Sequence, residues 1–238
     1  MTLLFIKPSW NIQMLSQKIF ELLKRFSEKK YNIFHAKMED DSDVFTNLKV
    51  DISEKSKILV VYGDNATGKS LISKLLEQIL KQDKIAVRNA CVRNRTSSGI
   101  EKAMIYGDEA TQSTGATSFN VIKLCLNSCL KDTKESVAIL DEPDLGLSSR
   151  FSKSLAQFIM SYTKEMNNEQ FVVITSHNKD FIQQLINDSE NGVSSFGINT
   201  EQNLQDFINN DDIASIEELE NRGSFGHKRW LAIENSLK

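Results

Sequence analysis

Gly63-Asp64-Asn65-Ala66-Thr67-Gly68-Lys69-Ser70 is the stretch on which the fold turns. It satisfies G-x-x-x-x-G-K-[ST] at every defined position. Gly63 and Gly68 allow tight turns where a Cβ would clash. Successive backbone N–H groups can then point inward and wrap a phosphate. A helix that starts near Lys69 adds the positive end of its dipole. Lys69 brings a flexible cation to β- and γ-phosphates, and the Ser70 hydroxyl is placed to ligate Mg²⁺. The flanks agree with this. Lys57–Tyr62 is a β-rich run before the loop, and Lys69–Gln82 carries Leu71, Ile72, Leu75 and Ile79 at helical spacing after it. Asp64, Asn65, Ala66 and Thr67 complete the expected phosphate-binding loop. A strand–loop–helix unit of this kind binds a nucleoside triphosphate.

Outward from the loop, strand and helix patterns alternate. Residues 11–29 have apolar positions at Ile12, Leu15, Ile19, Leu22, Leu23 and Phe26, which predicts an amphipathic helix. Tyr31–Lys37 and Phe45–Ile52 read as strands around the acidic turn at 39–43. Lys84–Val92 reads as a strand, Ser118–Lys131 as a helix, Ser136–Leu140 as a buried strand and Ser149–Met166 as a helix. Phe171–Thr175 is again a strand, followed by a helix at Lys179–Ile186, a strand at Val193–Ile198 and helices to the end. Such alternation predicts parallel βαβ units.

Two further strand ends carry chemistry. Ser136–Leu140 runs into Asp141-Glu142-Pro143. In a parallel sheet the strand C-termini gather at the phosphate end. There Asp141 can hold Mg²⁺, and Glu142, pointing elsewhere, can act as general base on a water. Two adjacent acids at the end of a buried strand are costly without a cation. Phe171–Thr175 runs into Ser176-His177, which puts an imidazole at the same edge to meet the γ-phosphate or the attacking water. His35 and His227 have no such context.

Composition narrows the classes. The chain has 238 residues, 40% hydrophobic and 26% charged, which fits a globular chain and not a disordered one. Lys and Arg total 29 against 32 Asp and Glu, for a net charge of −3. Nucleic-acid contact would therefore need a local basic patch. No apolar run approaches the ~20 residues of a membrane span, so direct membrane insertion is not expected. Met1–Ile6 does not read as a secretory signal. Cys91, Cys125 and Cys129 read as reduced core thiols rather than a zinc site, and the expected compartment is cytoplasmic. No repeat or linker divides the chain. The expectation is one domain over 1–238, with 1–30 as an N-terminal extension and 201–238 as C-terminal helices.

The three motifs, in this order, resemble the ABC-type ATPase superfamily. Gly63–Ser70 resembles Walker A, Val137–Glu142 resembles Walker B with its catalytic glutamate, and His177 resembles the switch histidine. The likeness covers Phe45 to Asp180. Ser113-Thr114-Gly115-Ala116-Thr117-Ser118 is similar to the family's signature loop, and Ser113 and Gly115 would bind the γ-phosphate held by a second subunit. A plain capped helix start is the alternative there. No Q-loop glutamine is evident; Arg88–Arg95 sits near that place. Pro143–Ser148 lacks the transporter D-loop and is similar to the Pro-x-x-Gly-Leu-His pattern of OLD-like ATPases, with Ser148 in place of the histidine. Phe45 reads as core more than as an adenine-stacking ring.

The resemblance implies an α/β P-loop NTPase fold. Its parts are a parallel core sheet, an antiparallel N-terminal sheet and a short helical signature region. It implies ATP and Mg²⁺ as ligands, with Ser70 and Asp141 at the metal. It also implies slow, dimerisation-dependent ATP hydrolysis by Lys69, Glu142 and His177. The implied assembly is a homodimer or higher oligomer through an ATP sandwich. Among such ATPases the chain looks most like the SMC, RecF and OLD-like branch, including phage AAA-type ATPases. That branch implies a partner that is a nuclease or other effector, action on DNA, or a role in phage defence. The other branch implied is the cytosolic ATPase subunit of an ABC membrane transporter. The interval from Lys69 to Asp141 leaves no room for a long coiled-coil arm.

Overall fold

The computed structural model describes residues 14–91 and 114–236. Helix α1 (Leu15–Ser27) and a single 3₁₀ turn (Asn32–His35) precede strand β1 (Leu48–Asp51). Then come β2 (Ile58–Tyr62), α2 (Lys69–Gln82) and β3 (Ala86–Ala90). Beyond the undescribed segment lie α3 (Thr114–Lys131), β4 (Ser136–Asp141), α4 (Ser149–Glu165) and β5 (Gln170–Thr175). The chain ends with α5 (Lys179–Asp188), β6 (Ser194–Ile198), α6 (Leu204–Asn209) and α7 (Ile216–Ser236).

The six strands form one sheet in the order β1-β6-β2-β5-β4-β3. All neighbours are parallel except β1 with β6 at one edge. This is the α/β P-loop architecture expected from the sequence. The antiparallel part is an edge pair within the same sheet. From β2 the chain crosses over β5 and β4 to β3, whereas from β5 it crosses β2 to β6. That reversal places a crevice at the carboxyl ends of the central strands.

Strand side chains alternate between two cores, as the period of two requires. Leu59, Val61, Val137, Ile139, Phe171 and Val173 face α1 and α2. Ile58, Val60, Ala138, Leu140, Val172 and Ile174 face α3, α4 and α5. A strand covered on both sides reads as a continuous apolar run. β2 fits this rule, with all five residues buried. Cys125 and Cys129 lie buried in the second core, and burial pushes the Cys125 thiol up to about 12. Among the described residues no helix is long and apolar enough to cross a membrane.

One strand expectation fails. Tyr31–Lys37 forms the 3₁₀ turn and a single bridge from Lys37 to Asp43. Consecutive residues of a strand point to opposite faces, yet Ile33 and Phe34 both enter the same core. Phe34 packs there against Phe26 and Phe45. The strand expected over Phe45–Ile52 shortens to β1.

Candidate nucleotide site

Register sets the geometry of the site. Val61 and Asp141 both pair with Thr175, so the ends of β2, β5 and β4 are level. The residues that follow, Gly63, His177 and Glu142, therefore leave the sheet at one edge. Because β5 lies between the other two strands, its terminal residues stand between the phosphate loop and the acids.

The loop is braced by its own atoms. Lys69 is 5% exposed, and its Nζ donates to the carbonyls of Gly63 (2.9 Å) and Asp64 (2.8 Å). Thr67 Oγ1 donates to the same Asp64 carbonyl at 2.8 Å. Burial holds the Lys69 ammonium below its ordinary pKa, and the carboxylates of Glu142, Asp64 and Asp141 work against that shift. Gly63 has φ +142°, and a Cβ there would sit 2.6 Å from the Ile198 carbonyl of β6. Only glycine fits so close an approach. Gly68 turns the chain into α2 at φ +109°, against the Phe45 ring.

Ser70 and Asp141 meet as the spacing suggests. Ser70 Oγ donates to Asp141 Oδ1 at 3.0 Å, and Thr175 Oγ1 donates to the same oxygen. A hydroxyl and a carboxylate are hard oxygen donors, the kind that Mg²⁺ takes. Glu142 departs from the strand with φ +47°, a left-handed backbone that turns its side chain away from that of Asp141. Its N–H donates to the Thr175 carbonyl (3.0 Å) and to Thr175 Oγ1 (3.1 Å). Its Oε1 lies 3.2 Å from His177 Nδ1. Thr175 thus holds both acids in place, a role that the sequence reading missed. A hydroxyl residue at the end of the middle strand was the available signal.

The structure brings together Gly63–Ser70, Asp141, Glu142 and His177. Gly115 stands apart, near the start of α3. A Cβ there would come 2.5 Å from Leu147, and the groove beside it is lined by Phe119, Leu147, Phe151 and Phe158. Ser113 lies outside the described residues. Phe45 is 1% exposed and packs edge-on against Phe34, so it is core.

The outer side of the loop has partners that no local pattern announces. Asn199, at φ +52° just after β6, donates from Nδ2 to the carbonyls of Thr67 and Val44, both at 3.0 Å. Its Oδ1 accepts from the Thr46 N–H at 2.8 Å. From α7, Arg229 Nη1 donates to the Ala66 carbonyl at 2.7 Å, and Arg222 Nη2 lies 3.8 Å from Asp64 Oδ2.

No family model matches the chain, and no curated protein matches it. Several solved structures show weak likeness. A dimeric post-hydrolysis state of the ATP-binding cassette MJ0796, bound to ADP and Pi, is 13% identical with a TM-score of 0.43. The alignment covers 72% of this chain and 97% of that one. The cbiO1 protein from Clostridium perfringens, part of the ABC transporter complex cbiONQ, is 14% identical with a TM-score of 0.43, over 79% and 93% of the two chains. CDC6P from Pyrobaculum aerophilum is 13% identical with a TM-score of 0.33, over 80% of this chain and 48% of that one.

Proposed function

We propose that the chain is a single ABC-type ATPase domain that binds and hydrolyses ATP, and whose ATP-dependent dimerisation drives or gates a partner. The observation that carries this is the meeting of Lys69, Ser70, Asp141, Glu142 and His177 at one sheet edge. Lys69 exchanges its two carbonyl acceptors for β- and γ-phosphate oxygens. The loop's N–H groups and the start of α2 hold the same phosphates. Ser70 and Asp141 would hold Mg²⁺, which would supply positive charge to neutralise the phosphates. Glu142 takes a proton from the attacking water. The water oxygen bonds to the γ-phosphorus as the bond to the β–γ bridging oxygen breaks, leaving ADP and phosphate. His177 steadies the Glu142 carboxylate by donating from Nδ1, and its other ring nitrogen, an acceptor in the neutral ring, is left to take a hydrogen bond from the attacking water.

In the dimer, Ser113 and Gly115 close over the γ-phosphate of the opposite subunit. The partner is a nuclease or another effector, and the setting is DNA metabolism or phage defence in the cytoplasm. The second reading is a cytosolic transporter subunit. What bears on it is the apolar groove beside Gly115, an unpartnered surface of the kind that a second protein covers. Co-purification with a membrane subunit would support it.

Glu142→Gln tests the first reading. Turnover should fall by about 10²–10⁴-fold in a phosphate-release assay, because the base is lost while the binding groups stay. The variant should retain ATP and accumulate as a dimer by light scattering. A variant that stays monomeric in ATP and Mg²⁺ would remove the sandwich.

A further inference from the structure

Among the described residues, a smaller and a larger cavity border the phosphate loop. The smaller, about 220 Å³, is lined by Lys69, Ser70 and Glu142 with Phe45 and Trp230. The larger, about 560 Å³, lies between Asp64–Thr67 and α7. Ala66, Thr67 and Arg229 belong to both. Phosphates gripped by Lys69 and Ser70 occupy the first. The nucleoside must then leave the loop on some other side. Phe45 offers it no ring face, being sealed beneath Phe34 and Gly68. The larger cavity falls within the ~300–1,000 Å³ of small-molecule pockets.

We propose that α7 supplies the nucleoside half of the site, with the base against Phe225 and the ribose and α-phosphate beside Arg222 and Lys228. This rests on the triphosphate reading of the loop and adds to it the residues that select what the phosphates carry. Phe225 is 39% exposed, and the Arg229 guanidinium lies 4.3 Å from its ring centre. Arg229 is half-buried and bonded to the Ala66 carbonyl, so the ring lies beside a residue tied to the loop. At Gly226 the helix comes so near that an added Cβ would lie 3.4 Å from the Ala66 Cβ. Ile233 anchors the far end of α7 in the core. Arg222 stands at the loop's mouth, opposite Asp64. Glu217 also lines the cavity and offers an acceptor for ribose hydroxyls or an exocyclic amine, whereas Glu218 is engaged by the Ser215 N–H at 2.7 Å.

Calorimetric titration of the full chain with ATP and with inorganic tripolyphosphate, both with Mg²⁺, separates the two halves. Phe225→Ala should weaken ATP about tenfold, the size of one aromatic contact, whereas Arg222→Ala should weaken ATP and tripolyphosphate alike, since both carry the phosphate that it faces. Tripolyphosphate should bind Phe225→Ala as it binds the parent. Unchanged ATP affinity in both variants would overturn the proposal. So would equal losses for the two probes in Phe225→Ala, which would mean that the ring only supports the loop. Tighter ATP binding would overturn it by showing that α7 excludes the nucleoside. A parent chain that binds neither probe would overturn the triphosphate reading as well, and that outcome is distinct from the other three.

Discussion

The two surfaces of the phosphate loop are held by different means. The inner surface is braced from within, by Lys69 on Gly63 and Asp64 and by Thr67 on Asp64. The outer surface is held from a distance: Asn199 reaches Thr67 across 132 residues of sequence, and Arg229 reaches Ala66 across 163. Inner bonds fix the curvature of the loop. Outer bonds fix where that curve sits against the sheet and α7. Disturbing the first should abolish ligand binding, and disturbing the second should cost stability first.

Lys69→Ala gives the largest expected effect. It removes the one side-chain cation inside the cradle, and ATP affinity should fall roughly a hundredfold or more, read by calorimetry. Retained affinity would show that backbone amides alone make the site. Asn199→Ala probes the outer surface. It removes an amide bonded to three backbone groups and places alanine in a left-handed conformation. Urea unfolding should show a loss of about 2–4 kcal/mol. A loss as small as that of an ordinary surface site would make the outer bonds incidental.

The smallest effect is a pH dependence. The folded chain holds Lys69 below its ordinary pKa, chiefly through burial. Between that lowered value and the unfolded value of about 10.4, the unfolded chain binds more protons, so stability contributed at this site rises with pH. At lower pH both states carry the charge and the burial cost is felt in full. Urea unfolding of the parent and of Lys69→Met at neutral pH and near pH 10 should show the parent gaining relative to the variant. Parallel curves would mean that the carbonyl partners fully offset burial.

What was legible in the sequence followed from locality. The cradle is eight consecutive residues, with Gly63 and Gly68 dictated by backbone geometry and Lys69 and Ser70 by phosphate and metal chemistry, and β2, β4 and β5 are short apolar runs closed by polar residues. Their polar ends could therefore be assigned to one edge. Thr175, Asn199 and the arginines of α7 obey no such rule. A threonine that ends a strand, or an asparagine after one, is ordinary in sequence and becomes specific only when the register brings Asp141 or Thr67 within bonding distance. Tyr31–Lys37 misled for a related reason. Its aromatic and β-branched residues suit a strand, but burial of both Ile33 and Phe34 on one side requires a turn.

Glu142 bears a conflict written into its backbone. A left-handed non-glycine residue costs about 1–2 kcal/mol, which a glycine would relieve. The relieved chain would be sturdier and would have no carboxylate at the edge. Robustness alone would favour glycine here, whereas the proposed general base needs the carboxylate, so the two demands pull this position in opposite directions.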